Sequence, residues 1–287
     1  MNKITIICPE KYRVGDGEIV LRDIPREIMP LAFATLDGKP SEQYEPGKMY
    51  IAASLITNDP NDYTYVLDRV TALYGAPLVK PAQLRKRRRL KYLTKILDAF
   101  LIMKSEARGF PLTTLYVLGS ENALDPSEVI DIYRKNSDMR KKIFISKITE
   151  RHVHFGDDGW TEVMTHEQFG GVFFWTSIIR VVDEQLTKVF GNPIHWCLMA
   201  DNLPCDSGGR RMTILFSMLE EMFGGRLMLM YTKLGDGEVD MPADLLTDIF
   251  ASISFEISST DGSNDPGLNE AFRAFNSSAS AVEVLPI

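Results

Sequence analysis

The chain has 287 residues, 45% hydrophobic and 25% charged, an ordinary globular composition with enough length to bury a large core. Its net charge of −7 argues against wholesale attraction to nucleic acid or acidic membrane. Its longest apolar stretch, 172–182, is broken by Thr176, Ser177 and Arg180 and falls short of the ~20 residues a membrane span needs.

The cysteines, Cys8, Cys197 and Cys205, are odd in number and lack Cys-x-x-Cys spacing. They read as reduced thiols of a cytoplasmic protein. The N-terminus has no small-residue cleavage site, so no secretory signal is expected. Lys3 to Cys8 is short and β-branched, a strand; Gly15 and Gly17 mark a turn, with 18–21 as a hairpin partner. Met49 to Thr57 reads as a buried strand. Tyr63, Val66, Leu67, Val70 and Leu73 then recur at helical spacing, with Gly75 as the stop. Pro81 opens a longer helix whose apolar stripe is Leu84, Leu90, Leu93, Ile96, Leu97 and Leu101.

Thr113 to Leu118 is another expected strand, and Asp125-Pro126 a helix start. Residues 137–150 are expected to be helical, and 151–159 a polar loop or short strand. Glu167 to Phe190 is a long apolar helix. Beyond it the pattern becomes regular: strand 194–200, helix 208–223, strand 226–233 and helix 241–255, an order that implies a mixed sheet flanked by helices. The fold class is therefore α/β, with residues 1–257 as one domain. The Ser-, Asn-, Gly- and Asp-rich stretch 258–287 reads as a loosely attached tail with a short helix near 268–275.

The charge is unevenly spread. Lys80, Arg85, Lys86, Arg87, Arg88, Arg89, Lys91 and Lys95 fall within 16 residues that hold no acid. Like charges four residues apart on a helix repel, and a phosphate backbone would offset that repulsion by releasing counterions. An acidic protein partner or a solvated helix face fits the same run. Ser207-Gly-Gly-Arg210-Arg211 opens a helix with two arginines in its first turn, a second place where a phosphate could be held; a capped surface turn is the bland alternative.

The acids form a second constellation. Asp201 follows the strand 194–200 directly, where α/β proteins place ligand-contacting residues. Asp240, Asp244 and Asp248 share one face of the last regular helix, and the apolar neighbours of Asp244 imply partial burial. A buried carboxylate requires a partner or a metal. Carboxylates from a strand end and a nearby helix suit a hard divalent cation, which activates water and stabilises the leaving oxygen in phosphodiester hydrolysis. In the plainer reading Asp240 is an N-cap, Asp248 is solvent-exposed and Asp201 is a turn residue. The four histidines, 152, 154, 166 and 195, lack recognised ligand spacing and read as loop or core residues.

Trp196-Cys-Leu-Met-Ala-Asp201, a helix, a strand and then Ala243-Asp244-Leu-Leu resembles the closing half of ribonuclease-H-like proteins. In particular it is similar to a family of uncharacterised nucleases that open with Asp-Glu-Ser-Gly on the first strand, and Val79-Lys80-Pro-Ala-Gln-Leu84 loosely resembles that family's Lys-containing segment. The likeness covers about residues 45–103 and 170–255. In place of Asp-Glu-Ser-Gly the first expected strand reads Ile6-Ile7-Cys8-Pro9-Glu10. The resemblance implies a ribonuclease-H-like sheet and a metal-dependent nuclease, with a place in microbial defence. Asp201 and Asp244 would hold Mg2+ or Mn2+, Glu10 would be the third acid, and the basic run with Arg210 and Arg211 would bind nucleic acid. Asp16, Glu18, Asp183 and Glu184 are further candidates for that third acid. The alternatives are a catalytically inactive module of the same fold that binds a protein partner, and a hydrolase of single nucleotides.

Overall fold

The computed structural model describes residues 5–7, 24, 26–39, 50–106, 109–119, 145–148, 152–157, 160–200, 219, 223–231, 241–258, 266–276 and 282–285. Its strands are β1 (Thr5–Ile7), β2 (Ala32–Thr35), β3 (Asp37–Lys39), β4 (Tyr50–Thr57), β5 (Thr113–Gly119), β6 (Ile145–Ile148), β7 (His152–Asp157), β8 (Trp160–Thr165), β9 (Trp196–Ala200), β10 (Leu227–Tyr231) and β11 (Val282–Leu285). Its α-helices are α1 (Asp62–Tyr74), α2 (Lys86–Ser105), α3 (His166–Phe190), α4 (Pro242–Ser258) and α5 (Pro266–Asn276).

The main sheet has the order β1-β10-β9-β2-β4-β5-β11, with β3 continuing the course of β2 alongside β4. β1, β10, β9 and β2 are mutually parallel, as are β5 and β11, while β4 runs antiparallel to both β2 and β5. The result is a mixed open sheet. β6, β7 and β8 form a separate antiparallel meander.

Side chains alternate across a strand, and both faces of this sheet are covered. Phe33, Leu55, Tyr116, Cys197, Met199, Met228 and Met230 point into one core with α1, α2, α4 and α5. Trp196 belongs to the opposite face, where its indole N–H donates to Asp183 of α3 at 2.9 Å. Arg226 grips the same carboxylate through both oxygens, at 3.0 and 3.1 Å. In the first core Phe100 of α2 stacks on Phe250 of α4 with ring centres 4.8 Å apart, and Phe110 and Phe275 complete the cluster.

Local chemistry explains several boundaries. Tyr63, Val66 and Val70 put a buried stripe on α1, and the Tyr63 hydroxyl reaches the Leu55 carbonyl at 2.7 Å, tying α1 to β4. Gly75 ends α1 at φ 80°, a left-handed geometry that glycine adopts without a Cβ penalty, and its N–H donates to the Thr71 carbonyl. Pro81 opens only a short 3-10 turn, Pro81–Gln83. The α-helix expected from that point begins at Lys86, after extended residues at Leu84 and Arg85.

Two further expectations need correction. Within 137–150, read as helical, residues 145–148 form strand β6. The stretch read as a loosely attached tail contains α5, whose Leu268 and Phe275 are buried in the core, and β11, which pairs with β5 as an edge strand of the main sheet. A short helix near 268–275 was expected from the sequence; what composition could not show was its burial against α2. The turn at Gly15 and Gly17, residues 18–21, the helix start at Asp125 and most of 208–223 lie outside the described residues.

Candidate functional site

Of the elements that carry candidate acids, α4 packs on β2, β3 and β4, whereas α3 lies on the opposite face of the sheet. β9 occupies an interior position between β10 and β2 and ends at Ala200, immediately before Asp201, which lies outside the described residues. Asp244 lies in the first turn of α4, where the helix dipole favours an acid, and only 8% of it is exposed. Asp248, one turn further on, is buried as well, which corrects the reading of it as solvent-exposed.

The contact that fixes α4 on the sheet is a pair of hydroxyls. Thr247 Oγ1 lies 2.6 Å from Thr35 Oγ1 of β2 and 2.6 Å from the Ala243 carbonyl oxygen. The Leu55 N–H donates to Thr35 Oγ1 at 3.0 Å, so β4 joins the same network. Both threonines are 1% exposed. At that depth a hydroxyl requires partners, and here each hydroxyl serves the other element. Asp244 is one turn before Thr247 on the helix, and Asp37 is two residues beyond Thr35 on the strand. The threonine contact thereby sets the two acid-bearing segments against each other.

Asp37 is an acid that the sequence reading did not single out. The first-strand acid was sought on Lys3–Cys8, with Glu10 as candidate. β1 lies at the sheet edge, separated from β9 by β10, so its end is not the neighbour of the β9 end. Glu10 itself lies outside the described residues. The parallel neighbour of β9 on the other side is β2, with Thr35 opposite Met199. The acid on that strand's continuation is Asp37, half-buried, with one carboxylate oxygen accepting the Gly38 N–H at 2.8 Å. The available signal was the apolar run Ala32-Phe-Ala followed by Asp37-Gly38.

The remaining candidates separate cleanly. Asp183 is engaged by Trp196 and Arg226, and Glu184 is an exposed residue paired with Arg180 at 3.5 Å. Asp16, Glu18, Asp240, Arg210 and Arg211 lie outside the described residues. Burial pushes the Cys197 thiol far above its ordinary range, as fits a core side chain rather than a nucleophile or ligand. His195 precedes β9 and its carbonyl accepts the Leu31 N–H, while His154 sits on β7 of the smaller sheet and His166 opens α3. Among the described residues, no three His, Cys, Asp or Glu side chains stand together as a ready ligand set. A multidentate site near Asp244 therefore needs a ligand from outside them, and Asp201 is adjacent in sequence to the β9 end.

Of the basic residues, Arg85, Lys86, Arg87, Arg88, Lys91 and Lys95 are exposed, and Lys80 is half-buried beside the 3-10 turn. Arg89 differs. Its Nε donates to Glu256 of α4 at 2.7 Å, and the Glu256 side chain is 4% exposed. Tyr92 secures the segment before the turn, accepting from the Val79 N–H at 3.0 Å and donating to the Val79 carbonyl at 2.8 Å. Burial first of all pushes its phenol up to about 12, so it stays protonated and able to donate.

Against protein-family models, curated proteins and solved structures the chain finds no match. Among the described residues, no helix is long and apolar enough to cross a membrane.

Proposed function

We propose that this protein is a divalent-metal-dependent phosphodiesterase acting on nucleic-acid backbones, with Asp244, Asp201 and Asp37 as its acids. The observation that carries the reading is the threonine-fixed meeting of α4 with β2, beside the strand that runs into Asp201. The course of the sheet supports it too. The antiparallel run β5-β4-β2 continues into the parallel strands β9 and β10, as a ribonuclease-H-like arrangement requires.

The donor set is carboxylate oxygen, which suits Mg2+ or Mn2+ rather than a softer metal. Such an ion supplies a lowered pKa for attacking water and charge stabilisation at the leaving oxygen. The chain's own contribution is placement. Asp244 is held in the first turn of a buried helix, and the Gly38 N–H orients the Asp37 carboxylate.

The test is cleavage of labelled RNA and DNA with Mg2+ or Mn2+, comparing the wild-type protein with Asp244→Asn, Asp201→Asn and Asp37→Asn. Loss of at least 100-fold in rate for each, with the unfolding midpoint retained, is the expected result. Undiminished cleavage by Asp244→Asn, or none by the wild-type protein with either metal, sinks the proposal. In the second case the fold serves binding alone.

A further inference from the structure

The chain's charge of −7 includes +8 from residues 80–95, so the remainder stands at −15. That basic segment is the strongest departure from the average of the molecule, and the structure divides it into parts with different duties. Arg89 turns inward to Glu256, while Lys80 and Lys86 engage other groups of the protein. Arg87, Arg88, Lys91 and Lys95 are exposed on α2, and among the described residues none of the four has an ion-pair partner.

Their spacing places them on one ridge. Positions 87, 91 and 95 repeat every four residues, and 88 lies beside them. At 1.5 Å per residue the ridge is about 12 Å long. The buried face of the same helix, Leu93, Ile96, Phe100 and Met103, is locked into the core, so the ridge is presented on a rigid element. No acid stands in the first turn of α2 to complement the helix dipole, and four cations follow one another from Lys86 to Arg89. Neighbouring cations of this kind repel one another unless a chain of negative charges runs along them. One strand of a duplex offers a phosphate about every 3.4 Å along the axis, so such a ridge spans three to four phosphates.

We propose, resting on the phosphodiesterase reading above, that the Arg87–Arg88–Lys91–Lys95 ridge is the surface that holds the nucleic-acid backbone, and that Arg89 is a structural joint outside it. The ridge reads phosphate and carries no sequence preference of its own. Arg89 registers α2 against α4 through Glu256, and so sets the distance between the backbone-holding ridge and the helix that bears Asp244.

The experiment is fluorescence anisotropy with labelled 20-nucleotide single-stranded RNA, single-stranded DNA and a 20-base-pair duplex. It is run in EDTA to suppress cleavage, from 50 to 300 mM NaCl, with polyglutamate as an acidic-protein probe. The wild-type protein binds at least one nucleic acid with a log K that falls linearly in log salt. Arg87→Gln/Arg88→Gln/Lys91→Gln weakens binding at least tenfold at 50 mM and lowers the salt slope by about two, since each lost phosphate contact removes about 0.7–0.9. Arg273→Gln, an exposed cation on α5, leaves both unchanged. A second variant, Lys91→Gln/Lys95→Gln, repeats the loss should the triple variant unfold.

The proposal is overturned if no nucleic acid binds at 50 mM salt, if the ridge variants bind like the wild-type protein, or if Arg273→Gln weakens binding equally. Equally tight binding of polyglutamate overturns it in favour of an acidic protein partner. The two proposals fail separately. Asp244→Asn that binds but never cuts isolates catalysis, whereas ridge variants that cut and bind undiminished remove only the ridge.

Discussion

Helices α2 and α4 stack through Phe100 and Phe250, yet they handle charge in opposite ways. α2 is amphipathic: one stripe is buried and its cations stand in water. α4 is buried around nearly its whole circumference between the sheet and the other helices, and it still carries Asp244, Asp248 and Glu256 inward. A cation on the outer face of α2 costs the fold little, so that face is free to be set by what it binds. An acid inside α4 costs several kcal/mol unless it is paired or hydrogen-bonded, so each one requires a reason. Glu256 has a visible one in Arg89. Asp244 and Asp248 also interact with other groups of the protein, and Asp244 is one turn before the Thr247 contact that the proposed site is built on.

The largest effects come from breaking the shared core. Phe100→Ala removes the ring that touches Phe250, Phe110 and Phe275 together, and is expected to lower unfolding free energy by about 3–5 kcal/mol, read from a urea or guanidinium titration. Close behind is Arg89→Ala. It strands the Glu256 carboxylate in the interior at a cost of about 3 kcal/mol, somewhat reduced because Arg89 itself is 27% exposed. Arg87→Ala, two residues away and of the same type, is expected to shift stability by about 0.5 kcal/mol or less. Equal losses from Arg87→Ala and Arg89→Ala would erase the division between joint and ridge.

That division also shows where sequence reading stops. The helices 62–74, 166–190 and 242–258 and the strands 196–200 and 227–231 were legible, because long runs with a clear period outweigh their neighbours. The basic run was legible as charge. That Arg89 alone turns inward was not, since its partner lies 167 positions away. β2 and β3 escaped because they are four and three residues long and sit between Pro30 and Pro40, which read as loop punctuation. Without them the first expected strand was Lys3–Cys8, part of which forms the edge strand β1, and Glu10 was the acid that followed it. β11 was hidden for a related reason: a four-residue strand within Ser- and Asn-rich sequence has no local signal, only a place beside β5. The burial of Asp244 was legible from Met-Pro-Ala-Asp-Leu-Leu, whereas the threonine contact that positions it joins residues 212 apart.

Thr35→Val tests that contact directly. The substitution keeps the shape but leaves the Leu55 N–H without its acceptor in a dry site, at about 1–3 kcal/mol, while the Thr247 hydroxyl keeps the Ala243 carbonyl and loses only its tie to β2. In the proposed enzyme it also slows cleavage through the position of Asp244 while leaving binding on the α2 ridge unchanged. Cys197 supplies a milder probe of the same core. Its thiol is fully buried and its pKa is raised by that burial, so native protein is expected to resist iodoacetamide at this position up to pH 9, with labelling only after denaturation, read by peptide mass.

The smallest expected effect contrasts two ion pairs of similar chemistry. Arg69 of α1 meets Glu106, at the end of α2, through both carboxylate oxygens, one of them at 3.2 Å from Nε, but both side chains are solvent-accessible. The hydrogen bond from Arg69, followed by its charge, holds the Glu106 carboxyl below the usual range. A depressed acid contributes stability at pH values above its unfolded pKa and loses it as pH falls through the lower folded value. Wild-type protein and Glu106→Gln should therefore differ slightly in urea midpoint at pH 7 and converge as the pH drops below about 4, the ordinary range of a glutamate. Water and salt screen this pair, so 0.5 M NaCl should shrink the difference at pH 7 as well. Arg89→Ala should keep its deficit in that salt, because Glu256 has no water to turn to; a deficit that salt removes would place the Arg89 pair on the surface with Arg69.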